Sequence, residues 1–170
     1  LALLKKIFVF RKGIIPLSFI IFTLNLTLLK FPLSNVFGYE FSVLNSILIT
    51  LLAGLHSIDF LKHKIEDDDF SLRMLFVNLL IFIMIPLLIS LVNSYLTGFC
   101  SFIDGLYFYI VILTPSVMIG VGLGVVSIFI CKKISRTIFF IIYLIILSIP
   151  LFEIYFNPQV YFYNPIVGFF

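Results

Sequence analysis

The sequence predicts an all-α protein, a polytopic transmembrane helical bundle of about five spans with an N-terminal interfacial helix. Three observations predict it. First, 62% of the 170 residues are hydrophobic and 11% are charged, with a mean hydropathy of +1.27. A soluble domain is roughly half apolar and about a quarter charged, so the surface of this fold must itself face hydrocarbon. Second, long uncharged runs recur along the chain, near the roughly 20 residues a helix needs to cross a bilayer core of about 30 Å. Third, the basic residues gather in alternate connecting segments, as they do on the inner side of a multi-pass protein. The runs lack the period-2 alternation of a membrane barrel, so helices are the spanning structure.

The elements follow in order. In residues 1–12, Leu1, Leu4, Ile7 and Phe8 share a helical face while Lys5, Lys6, Arg11 and Lys12 supply charge, the pattern of a helix lying in the inner leaflet interface. A signal peptide would need a small-residue cleavage site, and none follows Leu29. The membrane domain is expected over residues 14–156. Its spans are Ile14 to Leu29, bounded by Lys12 and Lys30; Phe41 to Phe60, with Asp59 near its end; Met74 to Leu96 and Tyr107 to Cys131, both uncharged; and Thr137 to Phe156, with Glu153 near its far end. Pro86, Pro115 and Pro150 lie inside spans, where each removes a backbone donor and favours a kink. Residues 157–170 carry two Asn-Pro steps with aromatic residues between and after them, which predicts an external aromatic segment, re-entrant or interfacial. A start at Leu1 and an end at Phe170 are read as cuts, so the chain is expected to be the membrane part of a longer protein. No internal repeat divides the spans into similar halves, and an inverted-repeat transporter is not expected.

With the N-terminus inside, Lys5, Lys6, Arg11, Lys12, Lys62, Lys64, Arg73, Lys132, Lys133 and Arg136 fall on the inner side, and of the 11 basic residues Lys30 alone falls outside. The C-terminus is then external. Tyrosine prefers the headgroup level, and Tyr39, Tyr95, Tyr107, Tyr109, Tyr155, Tyr161 and Tyr163 all lie on the outer side, with Tyr143 elsewhere. A net charge of +3 spread in this way predicts no nucleic-acid partner. The two cysteines, Cys100 and Cys131, form neither a disulfide framework nor a zinc site. No cofactor is implied.

The candidate functional residues fall into three groups. In the fourth span Ser116, Gly120 and Gly124 recur at intervals of four, letting another helix approach closely, either within the chain or as a homo-oligomer through span four. Gly120, Gly122 and Gly124 follow no strand and so form no phosphate loop. Near the inner end of the second span, His56, Asp59 and His63 at i, i+3 and i+7 share a helix face and are candidates for a metal site or proton relay. The competing reading pairs Asp59 with Lys62 or His63. In the following loop Glu66, Asp67, Asp68, Asp69 and Arg73 form either a solvated face or a docking site for a cytoplasmic partner. Asn25, Asn45, Asn78 and Asn93 are expected to hydrogen-bond between helices. The outer-side residues Glu40, Cys100, Asp104 and Glu153 assemble no Ser/His/Asp or Cys/His set, so no catalytic residue is expected.

This organisation resembles the permease subunit of an ABC-2-type exporter: a basic interfacial helix (Leu1 to Lys12), a charged cytoplasmic loop between spans two and three (Leu61 to Arg73), and an aromatic external segment after span five (Asn157 to Phe170). The resemblance implies that the loop contacts an ATP-hydrolysing subunit, that a sixth span follows, and that the protein sits in a bacterial cytoplasmic membrane. The stretch from Tyr163 to Phe170 also resembles the end of a multi-span region that, in other bacterial proteins, precedes an extracytoplasmic peptidase-like domain. That resemblance implies a membrane anchor with any catalysis beyond Phe170.

The orientation predicts that a membrane-impermeant maleimide applied to intact cells labels Cys100 and leaves Cys131 untouched. Labelling of Cys131 alone would reverse the topology.

Overall fold

The computed structural model describes residues 2–32, 34–66, 72–97, 102–156, 163–164, 166 and 168–169. They form α1 (Ala2–Leu28), α2 (Tyr39–Glu66), α3 (Leu72–Thr97), α4 (Phe102–Ile130), α5 (Ser135–Phe156) and a minimal antiparallel pair, β1 (Tyr163–Asn164) with β2 (Gly168–Phe169). The fold is an all-α bundle. Three helical stretches are long and apolar enough to cross a membrane, Tyr39–Lys62, Leu75–Thr97 and Phe102–Ile130, and they fit a multi-pass membrane protein. Shorter apolar stretches, Ile14–Leu28 and Ser135–Ile149, lie in α1 and α5. The basic N-terminal stretch and the apolar run after it are one uninterrupted helix, α1, which continues through Pro16.

Local chemistry sets the helix ends. Pro32 cannot continue α1, whose last turn closes with Lys30 N donating to Thr27 O at 3.0 Å and Phe31 N to Leu28 O at 3.1 Å. The Ser34 hydroxyl also donates to Leu28 O, at 2.7 Å, satisfying a carbonyl that the end of the helix leaves over. At the start of α2 both the amide and the hydroxyl of Ser42 donate to Gly38 O, at 3.1 and 2.7 Å. Glu40 places a negative charge at the positive end of that helix. Pro86 and Pro115 lie within α3 and α4, and both helices continue past them. In the turn before Pro86, the Tyr109 hydroxyl of α4 donates to Ile83 O at 2.6 Å. The bond ties α4 to α3 in the turn before the proline.

The bundle is organised around α2. Some 67% of its apolar stretch is buried, against 39% for α4 and 28% for α3. Its partner along most of its length is α4, and the two run parallel: Phe37, just before α2, meets Gly105, Thr50 meets Gly120, and Ser57 meets Gly124. A β-carbon on Gly124 would stand 2.7 Å from Gly54 O, and one on Gly54 would stand 2.9 Å from Gly120 O. The two backbones are therefore in contact, which only the missing side chains permit. On one flank Ile21, Phe41, Ile49, Ala53, Phe82 and Leu113 form a core joining α1 to α4. On the other, Ile58, Phe139, Tyr143 and Ile166 join α2 to α5 and the β-turn.

Among the described tyrosines, Tyr109 differs from the expected outer belt. Tyr109, placed by sequence with the outer-side tyrosines, is 1% exposed, because its hydroxyl has the Ile83 carbonyl as a partner inside the bundle. Tyr143 is buried as well and donates to Ile47 O at 2.7 Å, tying α5 to α2. Tyr95, Tyr107 and Tyr155 are exposed, as interfacial tyrosines are.

The packing separates the glycines of α4 by function. Gly120→Ala and Gly124→Ala drive a methyl into Thr50 and Gly54 backbone, and each is expected to cost about 1–3 kcal/mol of overpacking. Gly122 has open space around it, so Gly122→Ala should be neutral or stabilise the helix by up to about 1 kcal/mol. Reversible unfolding in detergent micelles measures all three.

Candidate functional site

The polar residues of the bundle collect on α2 and on what faces it. His56 is 4% exposed and lies six residues before Lys62, about 9 Å along the helix from that charged end. Its Nε2 is 3.2 Å from Nδ2 of Asn78 on α3, also 4% exposed. With the amide nitrogen donating, Nε2 accepts and the imidazole is neutral, its proton on Nδ1. The ring of Phe82 meets the imidazole edge-on, with centroids 5.6 Å apart. A polar pair is thus enclosed by apolar side chains and links α2 to α3.

One turn closer to the charged end, Asp59 Oδ1 accepts from Arg136 Nη2 at 2.7 Å and from Nε at 3.0 Å. Arg136 opens α5, so this pair links α2 to α5. Both side chains are exposed, 64% for Arg136 and 42% for Asp59; water competes for such a pair and leaves it worth little. Asp59 therefore pairs across the bundle with Arg136, where sequence proximity had suggested Lys62 or His63. The His63 side chain lies outside the described residues. Among the described residues no three His, Cys, Asp or Glu side chains come together as a metal site. His56 and Asp59 are each turned to other partners.

At the opposite end of the bundle α2 and α4 receive the C-terminal turn. Ile166 is fully buried, and its carbonyl lies 2.8 Å from the Ser46 hydroxyl of α2 and 2.7 Å from the Ser116 hydroxyl of α4. Each hydroxyl also faces a carbonyl of its own helix, Val43 O at 2.8 Å and Ile112 O at 2.7 Å. A hydroxyl has one proton, so each serine shares it between its helix and the turn. The tip of the C-terminal segment is wedged into the seam between α2 and α4.

Of the four asparagines expected to bridge helices, Asn78 does so through His56, and Asn93 donates to Asn35 O and Oδ1, both at 2.8 Å, tying α3 to the segment before α2. Asn25 and Asn45 instead donate to carbonyls of their own helices, Ile21 O and Phe41 O, at 2.9 and 3.0 Å. Each carbonyl lies one turn back, within reach without any rearrangement of neighbouring spans. Asn25 Oδ1, Asn45 Oδ1 and Thr50 Oγ1 are buried with no hydrogen-bond partner among the described residues.

The face of α4 that carries Ser116, Gly120 and Gly124 is covered by α2 of the same chain. Glu66 and Arg73 lie at the facing ends of α2 and α3, with side chains outside the described residues, as are Asp67, Asp68 and Asp69 altogether. Sequence reasoning missed the matching stripe on α2. Ser46, Thr50 and Gly54 have the same spacing of four as Ser116, Gly120 and Gly124, and two such stripes were a readable signal of one helix seated on another. Arg136 as the partner of Asp59 had no local signal, since 77 residues separate them.

No family model, no curated protein and no solved structure matches the chain.

A double-mutant cycle with His56→Ala and Asn78→Ala is expected to give a coupling of about 0.6–1.7 kcal/mol, between the average and the largest value for hydrogen bonds between membrane helices. The same cycle on Asp59 and Arg136 should give less than about 1 kcal/mol. Unfolding midpoints in micelles supply both, and a larger value for the ion pair would invert this ranking.

Proposed function

We propose that the chain is the membrane-spanning part of a transport system, a permease-like subunit resembling those of ABC-2-type exporters. In this reading it crosses a bacterial cytoplasmic membrane five times, N-terminus inside, and the segment from Leu61 to Arg73 docks an ATP-hydrolysing subunit. The observation that supports it is the polar interior. His56, Asn78, Asn25, Asn45 and Thr50 are buried, with several serines beside them, and three of their oxygens have no partner among the described residues. An unpartnered buried polar atom costs about 1–3 kcal/mol. In spanning helices an ionisable residue turned inward, as His56 is, is the kind that marks a substrate or ion pathway.

The loop supports the docking half of the reading through its charge. Glu66, the last residue of α2, is followed directly in sequence by Asp67, Asp68 and Asp69, and an acidic patch favours a basic surface on its partner.

Purification of the full-length protein from its native membranes in mild detergent should recover an ATP-hydrolysing subunit in a fixed ratio. Replacing Asp67, Asp68 and Asp69 together by Lys should lower that recovery at least tenfold, the equivalent of about 1.4 kcal/mol. Recovery of the folded chain with no ATPase would overturn the reading and leave the anchor as its replacement.

A further inference from the structure

Beside the end of the bundle where α1 finishes and α2 begins, α1 and α3 do not close on one another. A groove of about 470 Å³ runs between them. Phe22, Leu26 and Leu29 line one wall, and Leu88, Val92 and Leu96 line the other. From Leu29 to Phe22, or from Leu96 to Leu88, it is about 10–12 Å long at the helical rise, most of the depth of one leaflet's share of a hydrocarbon core of about 30 Å. Leu88, Val92 and Leu96 are more than half exposed. The one polar lining residue, Asn93, already spends its amide on Asn35, so the groove offers an apolar occupant only dispersion contacts.

Charge says which occupant. Lys30 is exposed and follows the lining residue Leu29 directly, so a positive charge stands beside the Leu29 end of the groove. Among the described residues it is also the lone basic one at this end of the bundle. Neither α1 nor α3 contains an acidic residue. Glu40 and Asp104, the acids in the first turns at this end, belong to α2 and α4. A second copy of the chain docked on this face by a two-fold axis would face the same patch on its partner. It would bring two Lys30 side chains together with no acid on either wall to offset them. A lipid brings an acyl chain for the groove and a phosphate for the ammonium.

We propose that this groove binds an anionic phospholipid from the leaflet at the Lys30 end, with one acyl chain between α1 and α3 and the headgroup phosphate accepting hydrogen bonds from Lys30. The site is independent of the transport reading, and an anchor with this fold would have it too.

The test is native mass spectrometry of the purified full chain from micelles containing equal dioleoylphosphatidylglycerol and dioleoylphosphatidylcholine. The wild-type chain should retain the glycerol lipid in preference to the choline lipid. Lys30→Gln should lower that retention about fivefold, the effect of one lysine near an anionic headgroup. Val92→Trp fills the groove and should abolish retention of both lipids, and Leu96→Trp does the same should the first variant fail to fold. Ile141→Trp, on an exposed position of α5, should change nothing. Equal retention of the two lipids, indifference to Lys30→Gln, or an equal loss from Ile141→Trp would overturn the proposal. So would a wild-type dimer that Val92→Trp converts to a monomer, because the occupant would then be a second copy.

Discussion

The bundle depends on the contact between the backbones of α2 and α4. Inside a membrane, lipid tails compete with side chains for every apolar surface, so helices are held by close packing and hydrogen bonds rather than by withdrawal from water. Gly54, Gly120 and Gly124 remove the side chains that would hold the two helices apart. That approach makes α2 the centre, and the rest is arranged on it. The Phe139 ring of α5 fits where a β-carbon on Gly54 would stand, and Phe37 is laid against Gly105. From Phe37 an aromatic cluster spreads to Phe102, with centroids 5.1 Å apart, and to Phe41 and Tyr109, each at 5.7 Å.

Hydrogen bonding divides the polar residues into two kinds. Most of the serines, and Asn25 and Asn45, donate to carbonyls three or four residues back, which gives those donors a local partner, leaves the two asparagine Oδ1 atoms without one among the described residues, and leaves the arrangement of helices unaffected. A smaller set reaches across: His56 with Asn78, Tyr109 with Ile83, Tyr143 with Ile47, Asn93 with Asn35, and the two serines that hold Ile166. These bonds are few and each joins a different pair of elements. They fix the register that dispersion alone leaves degenerate. The outer surface carries the complementary rule, with large apolar side chains on α3, α4 and α5 exposed, as suits a surface that faces hydrocarbon. Lys30 departs from the one-sided placement of the basic residues at the place where that surface opens into a groove.

Much of the fold was legible in the sequence. Uncharged runs of membrane length located the helices, and the stripe Ser116, Gly120, Gly124 marked the face of α4 that meets another helix. The stripe Ser46, Thr50, Gly54 held the same information for α2, though its hydroxyls read equally well as polar glue. The candidate site was less legible. His56 and Asp59 share a helix face, which suggested one joint site, yet one turns to α3 and the other to α5. Spacing along a helix reports a direction about its axis and says nothing of which neighbour occupies that direction.

The sequence by itself determined an all-α class, because hydrocarbon leaves a backbone no donors or acceptors but its own, and it determined which helix positions are small enough for contact. Only the tertiary structure decided that α2 and α4 run side by side in parallel, that Arg136 answers Asp59, and that the tip of the C-terminal segment enters the seam at Ser46 and Ser116. Each of these joins residues far apart in the chain. Hydropathy and periodicity are properties of one helix at a time, whereas partner choice is settled by the shapes of two helices in contact and by the few hydrogen bonds between them.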